Sequence, residues 1–294
     1  KLSEEPYSRE DRELLLAVTE QVSVALDYAR LVGRVAEQER LEREVEIAKS
    51  VQSHLFPQEL PPIPNLLYTG SCRPARGVGG DYFDFIKLDD DRLVIALGDI
   101  SGKGISAALL MASLQGALRG HVSMREQDLV GLVQDLNRLM CRSSDPGKFA
   151  TFFCGLFDGA TRELSYVNAG HMPPILVHDG EASGDPGEDG SVAPRTSRLD
   201  PGGLVIGLLE DTDYEAGSVR IDRGDTLLLF TDGVTDAERS DGEMFDEWRL
   251  VELVQRQRSL EPDALRRHIE QALDEFVGEA EQMDDITLIV ARGA

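Results

Sequence analysis

Four aspartates stand in one kind of sequence context. Gly79-Gly80-Asp81 precedes a strand-like run, and Gly98-Asp99-Ile100-Ser101-Gly102-Lys103-Gly104 follows an apolar run and opens a helical one. Thr231-Asp232-Gly233 follows the apolar run 226–230, and Asp284-Asp285-Ile286-Thr287 opens the last one. A carboxylate at the end of a buried strand is costly without a compensating cation. Several together repel and raise one another's pKa. A divalent ion resolves both problems, and hard ions such as Mg2+ and Mn2+ prefer oxygen ligands. The glycines permit sharp bends and close approach of ligands. One Asp-Gly at a strand end is an ordinary turn; the full set, each at a strand boundary, points to a metal centre.

Other chemistries lack their residues. A cysteine-dependent phosphatase needs Cys-x5-Arg, and no Arg lies six residues after Cys72, Cys141 or Cys154. The P-loop pattern Gly-x4-Gly-Lys-Ser/Thr is absent. His171, in Gly170-His171-Met172-Pro173-Pro174, reads as a hydrogen-bonded structural histidine rather than a general acid. His54 reads as packing or capping. Lys103 and Arg76, near the motifs, read as solvated surface charges.

The elements that must position these residues follow from periodicity. Residues 9–56 contain no Pro and one Gly, Gly33. Val24, Tyr28, Leu31 and Val35, then Leu41, Val45, Ala48 and Leu55, form an a/d stripe with charged flanks. This predicts a long helix that pairs with another helix, with a break or stutter between Val35 and Leu41. Pro57, Pro61, Pro62 and Pro64 end it. Strands are expected at 66–72, 82–88, 92–98, 151–157, 164–168, 175–178, 219–221, 226–230 and 286–290, and helices at 105–122, 127–141, 245–257 and 262–276. Residues 179–203, rich in Gly, Pro, Ser and Asp, are expected to form a mobile loop. Strand runs interrupted by helix pairs favour an α+β layered domain over alternating βαβ units.

The 294 residues suffice for one large domain or two small ones. The formal charge of −24 argues against nucleic acid or an anionic membrane as the main partner. No apolar run approaches the length of a membrane span, and no signal peptide is visible. Three widely spaced cysteines favour a reducing, cytoplasmic setting. The chain opens without Met, so an upstream part is expected. Residues 1–56 carry 12 acids and 8 bases, residues 57–178 carry 13 and 11, and residues 179–294 carry 29 and 11. The acidity is therefore not the signature of the aspartate motifs, since Asp81 and Asp99 lie in the nearly balanced stretch.

With Val51-Gln52-Ser53-His54-Leu55-Phe56-Pro57 and Ala169-Gly170-His171 added to the aspartate motifs, the segment from about Leu41 to Ala291 resembles the metal-dependent, PPM-type serine/threonine phosphatases, in particular the bacterial SpoIIE/RsbU-like subclass. The resemblance implies an α-β-β-α layered β-sandwich flanked by helices and preceded by a long coiled-coil-like helix. It also implies two Mn2+ or Mg2+ ions. Asp99 would bridge them and the Ile100 carbonyl would bind one. Asp232 and Asp284 would hold the other, Asp285, in place of an Asn of the family pattern, would be a further metal ligand, and Asp81 would sit beside the site, binding metal directly or through water. The implied substrate is a phosphorylated STAS-type anti-sigma-factor antagonist. Tyr7-Ser8-Arg9-Glu10-Asp11 and the following apolar positions to Leu31 resemble the last helix of a GAF sensor domain. The expected organisation is a GAF-like exit helix at 1–33, a dimerising signalling linker at 34–60 and a phosphatase domain at 61–294. The alternative is a pseudophosphatase or scaffold relaying sensor signals by protein contacts. A phosphohydrolase of small phosphates is weaker, because no nucleotide-reading motif is present.

Overall fold

The computed structural model describes residues 8–125, 128–145, 147–179, 195–200 and 202–294. They divide into two compact units, Lys1–Ala48 and Lys49–Ala294. The first consists of most of helix α1 (Arg9–Ser53). Ser8 and Asp11 cap it reciprocally: the Asp11 amide donates to Ser8 Oγ and the Ser8 amide to Asp11 Oδ2. The helix is continuous through 35–41. The irregular step shifts the apolar stripe without interrupting backbone hydrogen bonds, because no Pro or Gly follows Gly33 within it. Val24 and Tyr28 are each 69% exposed and Leu41 53% exposed, so the stripe is uncovered in the single chain.

The second unit holds two five-stranded sheets. The first has the order β1 (Leu66–Arg73), β10 (Ile286–Gly293), β9 (Thr226–Phe230), β6 (Ile175–Val177), β7 (Thr196–Arg198). The second has the order β2 (Tyr82–Lys87), β3 (Arg92–Ile100), β4 (Ala150–Asp158), β5 (Glu163–Ala169), β8 (Gly217–Arg220). All neighbours pair antiparallel. Helices α2 (Ile105–Arg125) and α3 (Leu129–Ser143) follow β3. Helix α4 (Asp232–Thr235) follows β9, and α5 (Asp246–Arg256) and α6 (Pro262–Val277) lie before β10.

Strand alternation distributes the apolar side chains over three cores. Leu93, Ile95 and Leu97 of β3 meet Leu227, Leu229, Ile289 and Ala291 of the other sheet. Val94, Ala96 and Ile100 turn outward onto Met111, Leu114, Leu132 and Leu136 of α2 and α3. On the far side Leu228, Leu288 and Val290 pack under Leu250, Leu265 and Ile269 of α5 and α6. The layers therefore run helix, sheet, sheet, helix. Both faces of the central strands are covered, so they read as continuous apolar runs rather than alternating ones. Each fully buried Leu or Ile stabilises this arrangement by about 2 kcal/mol.

Three differences from the sequence expectations matter. Strand β3 runs two residues past Gly98, because Asp99 and Ile100 pair with Thr151 and Ala150 of β4. The short helix α4 begins at Asp232 itself. Of the expected loop, 180–194 and 201 lie outside the described residues, while Thr196–Arg198 pairs with β6 and Leu199 is buried. No helix among the described residues is long and apolar enough to cross a membrane.

Candidate active site

Register brings the aspartate motifs to one end of the two sheets. Tyr82 pairs with Gly98, which places Asp81 beside Asp99. Phe230 pairs with Leu288, and the Thr231 amide donates to the Thr287 carbonyl, so Asp232 and the 284–285 pair sit at the same end. The turn from β3 into α2 depends on Gly102 and Gly104, whose φ angles are 102° and 78°.

Each carboxylate is handled differently. Asp81 is 1% exposed, and its Oδ2 accepts from the hydroxyls of Thr231 at 2.8 Å and Thr287 at 2.5 Å. Burial, then Asp99 and Asp285, raise its pKa well above the usual carboxylate range, while the two threonines lower it. Asp99 is pushed up to about 6 by burial first, then by Asp232, Asp284 and Asp285, and Lys103 opposes the rise. Asp232 is raised by burial, Asp284 and Asp236. Asp284 Oδ2 lies 3.0 Å from Lys103 Nζ, which also donates to the Met283 carbonyl at 2.7 Å. Asp285 faces the loop before β2: its oxygens accept from the amides of Ala75 and Gly80, each at 2.8 Å.

Asp232, Asp284 and Asp285 are thus close enough to raise Asp99, and Asp99 and Asp285 close enough to raise Asp81. Among the described residues, no three His, Cys, Asp or Glu side chains are drawn together tightly enough to hold an ion as they stand. The donor chemistry nevertheless fits a hard divalent cation. The Asp99 carboxylate accepts no hydrogen bond among the described residues, and its neighbours Asp232 and Asp284 repel it. Gly80 leaves room at the Ile100 carbonyl, since a Cβ there would sit 2.7 Å from that oxygen. A Cβ at Gly79 would collide with the Asp285 carboxylate.

Supporting residues complete the picture. Gln52 is buried, donating to the Gly79 carbonyl at 2.7 Å and accepting from its amide at 3.1 Å. His171 is 3% exposed, between Thr151 Oγ1 at 2.8 Å and the Phe230 carbonyl at 3.1 Å. Because the carbonyl can only accept, Nε2 carries the proton and Nδ1 accepts from Thr151. Burial holds this imidazole at about 4, so it is neutral at pH 7, as the structural reading of His171 expects. Lys103, read from sequence as a solvated charge, is an ion-paired neighbour of Asp284. His54 is exposed, with Nδ1 at 2.6 Å from the Ser50 carbonyl. The roles of Thr231, Thr287 and Gln52 were not legible individually, although all three lie inside the motifs, next to or near the aspartates they serve.

The family model of stage II sporulation protein E matches residues 89–293. Protein IcfG of Synechocystis sp. is 30% identical over 272 residues, covering 84% of this chain and 41% of that protein. Phosphoserine phosphatase RsbU of Bacillus subtilis is 29% identical over 257 residues, covering 87% of this chain and 71% of that protein. The chain therefore spans less than half the length of the first of these relatives. Among solved structures, the SiaA PP2C domain of Pseudomonas aeruginosa superposes with a TM-score of 0.72 at 20% identity, covering 88% of this chain and 98% of that one. That identity speaks to the fold, which is the PP2C arrangement of two antiparallel sheets and flanking helices. Phosphatases of the PP2C type are metal dependent. The matched span contains β3, β9 and β10 with their terminal aspartates, and the chain belongs to the SpoIIE-type family of PP2C phosphatase domains.

Proposed function

We propose that this chain is a metal-dependent protein phosphatase that hydrolyses phosphoserine or phosphothreonine on a bacterial signalling protein, a small STAS-type anti-sigma-factor antagonist. The observation that carries the reading is the convergence of Asp99, Asp232 and Asp284 at one end of a SpoIIE-type domain, with Asp99 and Asp232 held above their ordinary pKa by burial and mutual repulsion. Asp99, the Ile100 carbonyl, Asp232 and Asp284 would hold the Mn2+ or Mg2+ ions. Asp285 is the adjacent acid whose oxygens the loop amides also engage. Two such ions supply phosphate-oxygen binding, a water of lowered pKa and stabilisation of charge during in-line attack.

The chain's own groups act as supports. Thr231 and Thr287 fix the Asp81 carboxylate, which ties the start of β2 to the ends of β9 and β10. His171 ties Thr151, the register partner of Asp99, to the last residue of β9. Asp99→Asn removes the charge a bridging ligand must supply while keeping its shape. Release of phosphate from a phosphoserine protein in Mn2+ should fall at least about a hundredfold, as it should for the unaltered chain in EDTA. Undiminished turnover of the variant refutes the assignment.

Residues 1–33 are read as the exit helix of a GAF-like sensor, 34–60 as a signalling linker and 61–294 as the phosphatase. The exposed stripe of α1 supports self-association, with a second copy of the helix as its partner. Leu41→Glu with Val45→Glu should lower the dimer fraction in sedimentation. An unchanged fraction rules out the linker as the interface.

A further inference from the structure

A cavity of about 440 Å³ opens directly off the aspartate cluster, with Asp232 and Asp284 in its wall. The rest of the lining comes from the segment after α4, the C-terminal end of α6 and the residues leading into β10. Its chemistry is of two kinds. Val277, Ala280 and Met283 give it an apolar side, and Asp236, Glu238 and Glu281 give it an acidic one. The one base in the lining, Arg73, is held 2.7 Å from Asp274. No ion pair to Asp236, Glu238 or Glu281 forms among the described residues, and the first of these accepts only from the Thr235 hydroxyl.

The volume falls within the range of binding clefts and accommodates a few side chains rather than a folded domain. An apolar floor beside unpaired acids matches a long cationic side chain, whose methylenes pack while its head stays among carboxylates. Resting on the phosphatase reading, we propose that this cavity receives the residue next to the phosphorylated serine or threonine, and that it selects Lys or Arg there. The phosphate would then go to the aspartate cluster, and the basic flank would fix the direction in which the substrate chain crosses it. Acidic flanks are disfavoured by the same carboxylates.

The test uses the full chain in Mn2+ with short phosphoserine peptides bearing Lys, Ala or Glu beside the phosphoserine, and p-nitrophenyl phosphate as a substrate without flanks. The unaltered chain should show a KM for the Lys peptide about fivefold to tenfold below that for the Glu peptide. Glu238→Gln with Glu281→Gln should erase that preference through KM, with kcat and p-nitrophenyl phosphate turnover retained. Glu238→Lys with Glu281→Lys should reverse it. Equal KM values for the three peptides on the unaltered chain, or a preference that survives both double variants, overturns the inference while leaving the phosphatase reading intact. If neither the peptides nor p-nitrophenyl phosphate is hydrolysed, the phosphatase reading falls and this inference falls with it.

Discussion

Asp84 is fully buried on β2, and its two oxygens receive four donors. Arg119 of α2 gives Nε to Oδ2 at 2.7 Å and Nη2 to Oδ1 at 2.8 Å. Tyr82 Oη reaches Oδ2 at 2.8 Å and the Phe85 amide reaches Oδ1 at 2.9 Å. The pair fastens β2, three residues after Asp81, to the helix that follows the Ser101–Gly104 turn. Arg119→Ala halves the donors and leaves a carboxylate without its cation. Breaking a buried pair costs about 3–5 kcal/mol. Arg119 is 50% exposed and water can enter its place, so the expected loss is about 2–3 kcal/mol. With a urea m-value of about 2–3 kcal/mol/M, the midpoint should fall by about 1 M. Asp84→Ala with Arg119→Ala removes both charges, and Asp84→Ala alone completes the cycle. The double variant should recover most of that loss, giving a coupling of about 1–2 kcal/mol in a double-mutant cycle. A midpoint change below about 0.2 M for Arg119→Ala, or strictly additive single changes, refutes the idea that this pair is a structural fastening.

Two other perturbations test the supports of the site. Gly80→Ala places a Cβ 2.7 Å from the Ile100 carbonyl oxygen, so that oxygen or Asp81 must move. The Mn2+ concentration for half-maximal phosphate release should rise about tenfold or more, and an unchanged metal titration would contradict the role given to Ile100. His171 is lowered from 6.5 to about 4, so the unfolded chain takes up the proton first as pH falls. Its contribution is present above about pH 6.5 and is lost between there and pH 4, amounting to about 3 kcal/mol. Urea midpoints of His171→Gln should fall less steeply than those of the unaltered chain across that window; parallel curves would remove His171 from the account.

Local patterns carried much of this architecture. β9 coincides with the apolar run 226–230, and four expected helices stand within a few residues of their predicted ends. What escaped depended on partners far away in the chain. Asp99 and Ile100 belong to β3 only because Thr151 and Ala150 lie opposite. Lys103 is exposed as expected, and only its ion pair escaped, because Asp284, its partner, is in the last motif. Of the break or stutter expected in α1, the continuous helix leaves the stutter, since a stripe records what a helix packs against, whereas continuity depends on backbone bonds that nothing in 34–53 interrupts. The family resemblance supplied ligand roles that spacing could not, and it did not reveal which aspartates are already engaged by the protein itself.

That division is the most informative feature of the site. Gathering five acids at one end of a sandwich is electrostatically unfavourable, and the fold meets the cost with a different device at each position. Hydroxyls of Thr231 and Thr287 serve Asp81, backbone amides of Ala75 and Gly80 serve Asp285, and the amine of Lys103 serves Asp284. Asp99 has no such donor among the described residues, and Asp232 has only the neighbouring Gly233 amide. Both stay above their ordinary pKa, as does the more deeply buried Asp81, and these two carry the least direct hydrogen bonding of the five. The net charge of −24 is a separate matter, because these five are a small part of the 54 acids in the chain. On the proposed metal reading, acids left with few or no direct donors, beside acids already hydrogen-bonded, are where a small hard ion would be held.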